Sequence, residues 1–292
     1  MRSSSPKSGG ARLRELIAGD ELVTAPGAYD ALTARCVQAA GFPAVYMTGA
    51  GTAATLGYPD FGLVTMSEMV ENAGRIAAAV DVPVVADADT GYGNELNVVR
   101  TVREYTLQGA AALHIEDQVS PKRCGHLDRK DVIAADEFVS KIRAAAECRP
   151  DPDLVLIART DAIATRGFDE AIERANRALE AGAEVAFVEA PQTLEDVAAV
   201  PRLVEGPCLL NVVASGKTPD VTLGEAAVMG FRLAIVPVLL VNAVLSACDA
   251  ALAELRATGA HPAGLQPLPV HEIFARAGAG AWDEVRARYG AE

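Results

Sequence analysis

Eight short apolar runs alternate along the chain with eight longer segments of helical period, and few folds can accept that rhythm. The runs are Leu22–Ala25, Ala44–Thr48, Val82–Ala86, Ala112–Glu116, Leu154–Arg159, Val185–Glu189, Cys208–Val212 and Leu233–Val236. The helical segments are Asp30–Ala40, Thr65–Ala79, Glu95–Gln108, Ala135–Glu147, Phe168–Ala181, Leu194–Val200, Leu223–Met229 and Val244–Thr258. Gly41, Gly109, Gly182 and Gly230 each follow one of them, where glycine closes a helix most readily. The runs are apolar throughout rather than every second residue. Both faces of each strand must then be covered, which a parallel sheet flanked by helices provides. The expected fold class is α/β, a (β/α)8 TIM barrel. An open doubly wound sheet is the alternative, but no Gly-x-Gly-x-x-Gly follows the first strand.

At 292 residues the length allows two domains, yet α/β barrels of this size commonly form one. The expectation is a loose tail over residues 1–10 and a single barrel domain over 11–292. An extra helix, His271–Tyr289, is surplus to the barrel and is expected to pack on a neighbouring subunit. The net charge of -13 repels phosphate backbones and disfavours nucleic-acid binding. The first residues lack the apolar stretch of a secretory signal, and the longest apolar run, Leu233–Val241, is far too short to span a membrane. Cys36, Cys124, Cys148, Cys208 and Cys248 are odd in number and form no Cys-x-x-Cys pair. Reduced thiols and a cytoplasmic location are therefore expected, with no disulfide frame or zinc site.

In a (β/α)8 barrel the chemistry sits where the strands end. Asp87, Asp89 and Glu116 fall there, and three neighbouring carboxylates repel one another unless a cation lies among them. Hard oxygen donors favour magnesium, with manganese the other candidate. One or two would ligate directly, and Asp60 is a candidate for an outer contact. The competing reading is that these aspartates cap helices or turns.

A long loop after the fourth strand carries Lys122, Arg123, Cys124, Gly125 and His126. Long loops at such positions are often lids, and the cations beside Cys124 favour its thiolate, so proton exchange there is feasible. Cys36, Cys208 and Cys248 sit in apolar runs and read as packing residues. Arg159 is a fork for a carboxylate, unless it merely pairs with Glu189. Asn211 joins this group from the seventh strand. The Thr48-Gly49-Ala50-Gly51 turn offers backbone N–H groups to an anion.

Taken together, these motifs resemble the isocitrate lyase/phosphoenolpyruvate mutase superfamily, in its 2-methylisocitrate lyase-like branch. The resemblance runs from about Leu22 to Thr258. It rests on Thr-Gly-Ala-Gly at 48–51, Asp-Ala-Asp-Thr-Gly-Tyr-Gly at 87–93, His-Ile-Glu-Asp-Gln at 114–118, Lys-Arg-Cys-Gly-His at 122–126, Ala-Arg-Thr-Asp-Ala at 158–162 and Gly-Lys-Thr-Pro at 216–219. It implies a magnesium-dependent barrel that stabilises the enolate of a 2-oxo acid, exchange of the eighth helix between subunit pairs, and a homotetramer built as a dimer of dimers. It also implies that Lys122–His126 gates the site and that Cys124 protonates the departing carbanion. Two positions depart from the methylisocitrate lyase pattern: Ala214 replaces a Glu, and Asn242 stands nearest to where an Arg commonly follows strand eight. Both lie where the non-reacting end of the substrate binds, so an alkylated malate becomes the better candidate.

The expected activity is retro-aldol cleavage of a 2-hydroxy di- or tricarboxylate to pyruvate or glyoxylate plus a second carboxylate. Cys124 and Arg159 are the expected catalytic residues. The base is either Tyr46 or a water held by Glu116. Thr48, Gly49, Ala50, Lys122, Arg123, Gly125, His126, Glu189 and Asn211 are expected around the substrate. The rivals are carboxyphosphoenolpyruvate phosphonomutase-like chemistry, oxaloacetate decarboxylation, and a catalytically silent barrel.

Overall fold

The computed structural model describes residues 7–125 and 130–290. The eight strands are β1 (Val23–Ala28), β2 (Val45–Met47), β3 (Val84–Asp87), β4 (Ala112–Glu116), β5 (Val155–Thr160), β6 (Val185–Val188), β7 (Cys208–Asn211) and β8 (Leu233–Val236). Each pairs in parallel with the next, and β8 closes on β1 through Val23 beside Leu233, giving a closed barrel in sequence order.

Side chains alternate between two cores along each strand, as a pleated strand requires. Val185 and Phe187 of β6 join Val155, Ile157, Leu209, Leu233 and Ile235 in the barrel interior. Ala186 and Val188 point the other way, into a layer with Ala171, Ile172 and Ala175 of the helix Phe168–Glu180. That explains why the runs read as continuously apolar. Leu13 and Ile17, from the helix Gly9–Ala18, belong to the interior cluster as well. This helix begins within the segment expected as a tail. Its two leading glycines are poor helix formers, but the Ser8 hydroxyl caps it by accepting from Ala11 N–H. Arg14 on the same helix donates Nε to Glu184, just before β6, at 2.7 Å.

The four glycines expected to end helices all lie at positive φ, between 84° and 110°. Two short helices escaped the periodicity, Gly49–Thr55 and Ile163–Arg166. Glycines in the first and the brevity of the second hide them.

The chain divides into two compact units, up to Val238 and from Leu239 to Glu292. In the second, the helix Leu239–Thr258 starts earlier than its periodicity indicates. The single last helix expected over His271–Tyr289 is instead two, Val270–Arg276 and Ala279–Tyr289, broken at Gly278 with φ 93°. None of these three helices has a buried residue, and Leu245, Leu252, Phe274 and Trp282 are exposed. Among the described residues no helix is long and apolar enough to cross a membrane.

Candidate active site

The strand ends deliver polar side chains into the mouth of an otherwise apolar barrel. A cavity of about 520 Å³, open to solvent on one side, is lined by Tyr46, Thr48, Ala50, Asp60, Asp87, Lys122, Cys124, Gly125, Arg159, Glu189 and Asn211. All eleven were expected from the sequence. Val213, Ile235, Pro237 and Val238 complete the wall and were not.

Asp87, at the end of β3, is the most firmly held carboxylate. Its Oδ2 accepts from Gly49 N–H at 3.1 Å and from the Tyr46 hydroxyl at 3.3 Å, and its Oδ1 accepts from Asp89 N–H at 3.0 Å. Burial works against its charge, but His114, Lys122, Arg159 and the Asp89 amide outweigh it and hold the carboxyl at about 2. His114, from β4, places Nε2 2.9 Å from the Tyr46 hydroxyl. Burial lowers its pKa to about 4, so the ring is neutral at pH 7. Burial and Asp87 push the Tyr46 hydroxyl well above its ordinary value, which makes it a poor base.

Asp89 has φ 45°, a conformation uncommon outside glycine, and burial lifts its carboxyl to about 6 against the pull of Lys122. Glu116 is fully buried, and burial pushes its carboxyl up although Arg159 opposes this. Its Oε2 lies 3.3 Å from Arg159 Nε, and its Oε1 has no hydrogen-bond partner. A buried, unsatisfied carboxylate oxygen is costly and marks a place for a proton or a cation.

Lys122 reaches into this acidic cluster. Its Nζ lies 2.6 Å from Asp60 and 2.8 Å from Asp89, so both carboxylates share one ammonium. Among the described residues no group of three or more His, Cys, Asp or Glu side chains is placed to hold a metal ion. The unpartnered Oε1 of Glu116 and the ionised Asp87 are hard oxygen donors that fit a cation bound through one or two protein oxygens and completed by water, as magnesium prefers.

Arg159 is oriented chiefly by Asp161, a partner the sequence reading missed. Nε donates to Oδ2 at 2.9 Å and Nη2 to Oδ1 at 3.2 Å. Glu189 is more distant, 3.6 Å from Nη2, and accepts from Asn211 Nδ2 at 3.3 Å on each oxygen. The guanidinium also lies over the Phe187 ring at 5.0 Å. The period of two along a strand is the signal that could have found Asp161, since it puts residues 159 and 161 on one face.

The anion turn differs from expectation. Thr48 caps the short helix Gly49–Thr55, so the Gly51 amide goes to Thr48 Oγ1 and the Gly49 amide to Asp87. A side chain at Gly49 would drive its Cβ to 2.4 Å from Asp87 Oδ2, which explains the glycine.

Within the long loop, Cys124 N–H donates to the Asp60 carbonyl at 3.2 Å, and the side chain is partly exposed to the cavity. Gly125 lies against the arginine group: a Cβ there would stand 2.1 Å from Glu189 Oε1 and 2.5 Å from Arg159 Nη2. Arg123 does not line the cavity; its guanidinium covers the Phe61 ring at 5.2 Å, and its backbone is bound by the Gln118 side chain. His126 lies outside the described residues.

Comparison with known proteins shows which family the chain is similar to. Residues 13–256 match the family described as phosphoenolpyruvate phosphomutase. The chain is 47% identical to 2,3-dimethylmalate lyase of Eubacterium barkeri, over 78% of this chain and 79% of the other. It is 43% identical to 2-methylisocitrate lyase of Aeropyrum pernix, over 85% and 80%. Among solved structures, one of 2,3-dimethylmalate lyase superposes with a TM-score of 0.93 at 40% identity, covering 98% of this chain and 97% of that one. Oxaloacetate acetylhydrolase with 3,3-difluorooxalacetate gives 0.92 at 40% identity, covering 98% of each. Phosphonopyruvate hydrolase with oxalate and magnesium gives 0.87 at 31% identity, covering 97% and 99%. The chain therefore belongs to the phosphoenolpyruvate mutase/isocitrate lyase superfamily, among its carbon–carbon lyases.

Proposed function

We propose that this lyase cleaves an alkylated malate, a 2-hydroxy diacid with small alkyl groups, to a 2-oxo acid such as pyruvate and a second, shorter carboxylate. The observation that carries this reading is the wall of Val213, Ile235, Pro237 and Val238 facing the polar rim of one cavity. An apolar wall favours methyl groups and leaves a third carboxylate without a partner. Ala214, at a position where the resemblance to methylisocitrate lyases implies a Glu, points the same way. The name of the Eubacterium relative, 2,3-dimethylmalate lyase, agrees with it.

Asp87, with Glu116 or Asp89 through water, would hold a magnesium ion, in keeping with the magnesium named for phosphonopyruvate hydrolase. When bound, the cation supplies positive charge for the developing oxyanion and lowers the hydroxyl pKa.

The protein's own groups do the rest. Thr48 and Ala50 border the substrate carboxylate, and Arg159 offsets charge at the reacting end. The hydroxyl proton passes to a water held by Glu116, whose Oε1 is unpartnered; a cation bound beside it would keep this carboxyl ionised and able to accept. The C2–C3 bond then breaks and its electron pair stays on C3 as the enolate of the leaving acid. The Cys124 thiol delivers a proton to C3, and the proton taken at Glu116 balances the cycle. Lys122, Gly125 and Glu189 close the cavity around the reaction and limit access of water.

The chain acts, in this reading, as a homotetramer whose subunits cover the exposed apolar residues of the C-terminal unit, and it works in the cytoplasm. A panel of 2-hydroxy diacids and tricarboxylates assayed for pyruvate or glyoxylate with magnesium tests the assignment, with oxalate expected to inhibit. A phosphonate signal in phosphorus NMR would instead point to phosphonomutase chemistry. Carbon dioxide release from oxaloacetate would point to a decarboxylase.

A further inference from the structure

Lys130, at the far end of the cysteine loop, was not singled out by any motif, yet its side chain is almost wholly buried. Its Nζ donates to Asp161 Oδ1 at 2.8 Å and also to the carbonyl of Gly125. The two acceptors belong to different parts of the site. Asp161 is the carboxylate that orients Arg159 through two hydrogen bonds. Gly125 follows Cys124 directly and lies against Arg159 and Glu189.

We propose that Lys130 is a positioning residue whose ammonium ties the Gly125 carbonyl to the Asp161 carboxylate, so that the Cys124 thiol and the Arg159 guanidinium are set in place together. The proposal rests on the reading that Cys124 and Arg159 serve one reaction.

The surroundings make Asp161 a firm anchor for such a tie. Its backbone N–H donates to Asp117 Oδ1 at 2.9 Å, while Asp117 Oδ2 accepts from Thr160 Oγ1 at 2.7 Å and Arg174 Nη1 at 3.1 Å. Arg174 comes from the helix Phe168–Glu180, so the end of β5 is fixed from behind. Cys124 is likewise held on both sides, by its own N–H on the Asp60 carbonyl and by the next carbonyl on Lys130. Removing the ammonium leaves the Gly125 carbonyl without its buried donor and frees Gly125 from its place against the arginine. Asp161 keeps Arg159 but loses one of its two counterions. A small displacement of the thiol is enough to slow proton delivery sharply, because transfer needs hydrogen-bond reach.

The test compares Lys130→Met and Lys130→Arg with the wild-type full-length enzyme loaded with magnesium. Two quantities are read: kcat and KM on the substrate found by the panel, and the rate of iodoacetamide alkylation at the Cys124 peptide by mass spectrometry. Lys130→Met should lower kcat on the order of 10²-fold with little change in KM. It should also speed Cys124 alkylation about tenfold or more, since the Cys124–Gly125 backbone is then released from Asp161. Lys130→Arg, which can make both donations, should return alkylation to near the wild-type rate. If Lys130→Met does not fold, Lys130→Gln is read in the same two assays. The proposal is overturned if alkylation stays within about twofold of wild type, whatever happens to kcat, or if alkylation rises while kcat does not fall. The alkylation rate needs no substrate, so its outcome is separate from the substrate assignment.

Discussion

Asp87 accepts the Gly49 amide proton on Oδ2 at 3.1 Å, tying the end of β3 to the first turn of the helix that follows β2. The carboxylate is thereby aimed before any ligand arrives. Asp87→Asn keeps the size and one acceptor but removes the charge. Magnesium affinity, measured by titration calorimetry without substrate, should fall by about 10–100-fold or more, while the circular dichroism spectrum is unchanged. Unaltered affinity would exclude Asp87 as a ligand.

Cys124→Ser places a far weaker acid at the same point. Turnover should fall by ~10²–10⁴-fold, the range typical of a positioned proton donor. Stability should be nearly unchanged, because the side chain is partly exposed. Near wild-type turnover would remove the thiol from the mechanism.

Much of this arrangement can be read from the sequence, and the physical reason is contrast. Asp87, Glu116, Arg159 and Glu189 each end or follow an apolar strand, where a charge has no reason to be unless it is used. The barrel itself is legible because strands covered on both faces leave no polar alternation, as β6 illustrates with Phe187 inward and Val188 outward. What stays hidden lacks that contrast. Val213, Ile235, Pro237 and Val238 look like core residues until the cavity is seen beside them. Lys130 sits in a charged loop, where one more cation carries no signal. The amide of Gly49 could not be assigned to Asp87 because a hydrogen bond between neighbouring strand ends has no local pattern in sequence.

Glu184 gives the barrel a pH-dependent clasp at the end opposite the cavity. Burial disfavours its charge, but hydrogen bonds and ion pairs from Arg14 and Arg149 more than offset this and hold its carboxyl below the ordinary glutamate range. A carboxyl lowered on folding adds stability above its unfolded pKa and loses it as pH falls through the folded value. Glu184→Gln should therefore cost about 1 kcal/mol at pH 7, with the solvent-facing part of the interaction screened. The difference should shrink steadily on acidification below about pH 4. Urea denaturation at several pH values reads this directly, and a pH-independent difference would contradict it.

Leu13 is fully buried in the interior cluster, although it comes from the helix that precedes the first strand. Leu13→Ala leaves a cavity there and should cost about 2–5 kcal/mol in urea unfolding. The cavity mouth is built by other elements, so KM should hold in the folded fraction. A loss under about 0.5 kcal/mol would mean that this helix contributes little to the barrel.

The most direct measurement is pyruvate release from 2,3-dimethylmalate by the magnesium-loaded enzyme, followed together with its partner product. One pyruvate per propanoate is expected, with dependence on magnesium, inhibition by oxalate, and little cleavage of a tricarboxylate such as methylisocitrate. Release of pyruvate from the tricarboxylate but not from alkylated malates would contradict the apolar-wall assignment. No 2-oxo acid from any 2-hydroxy acid, with oxalate and magnesium both inert, would contradict the lyase mechanism at its root.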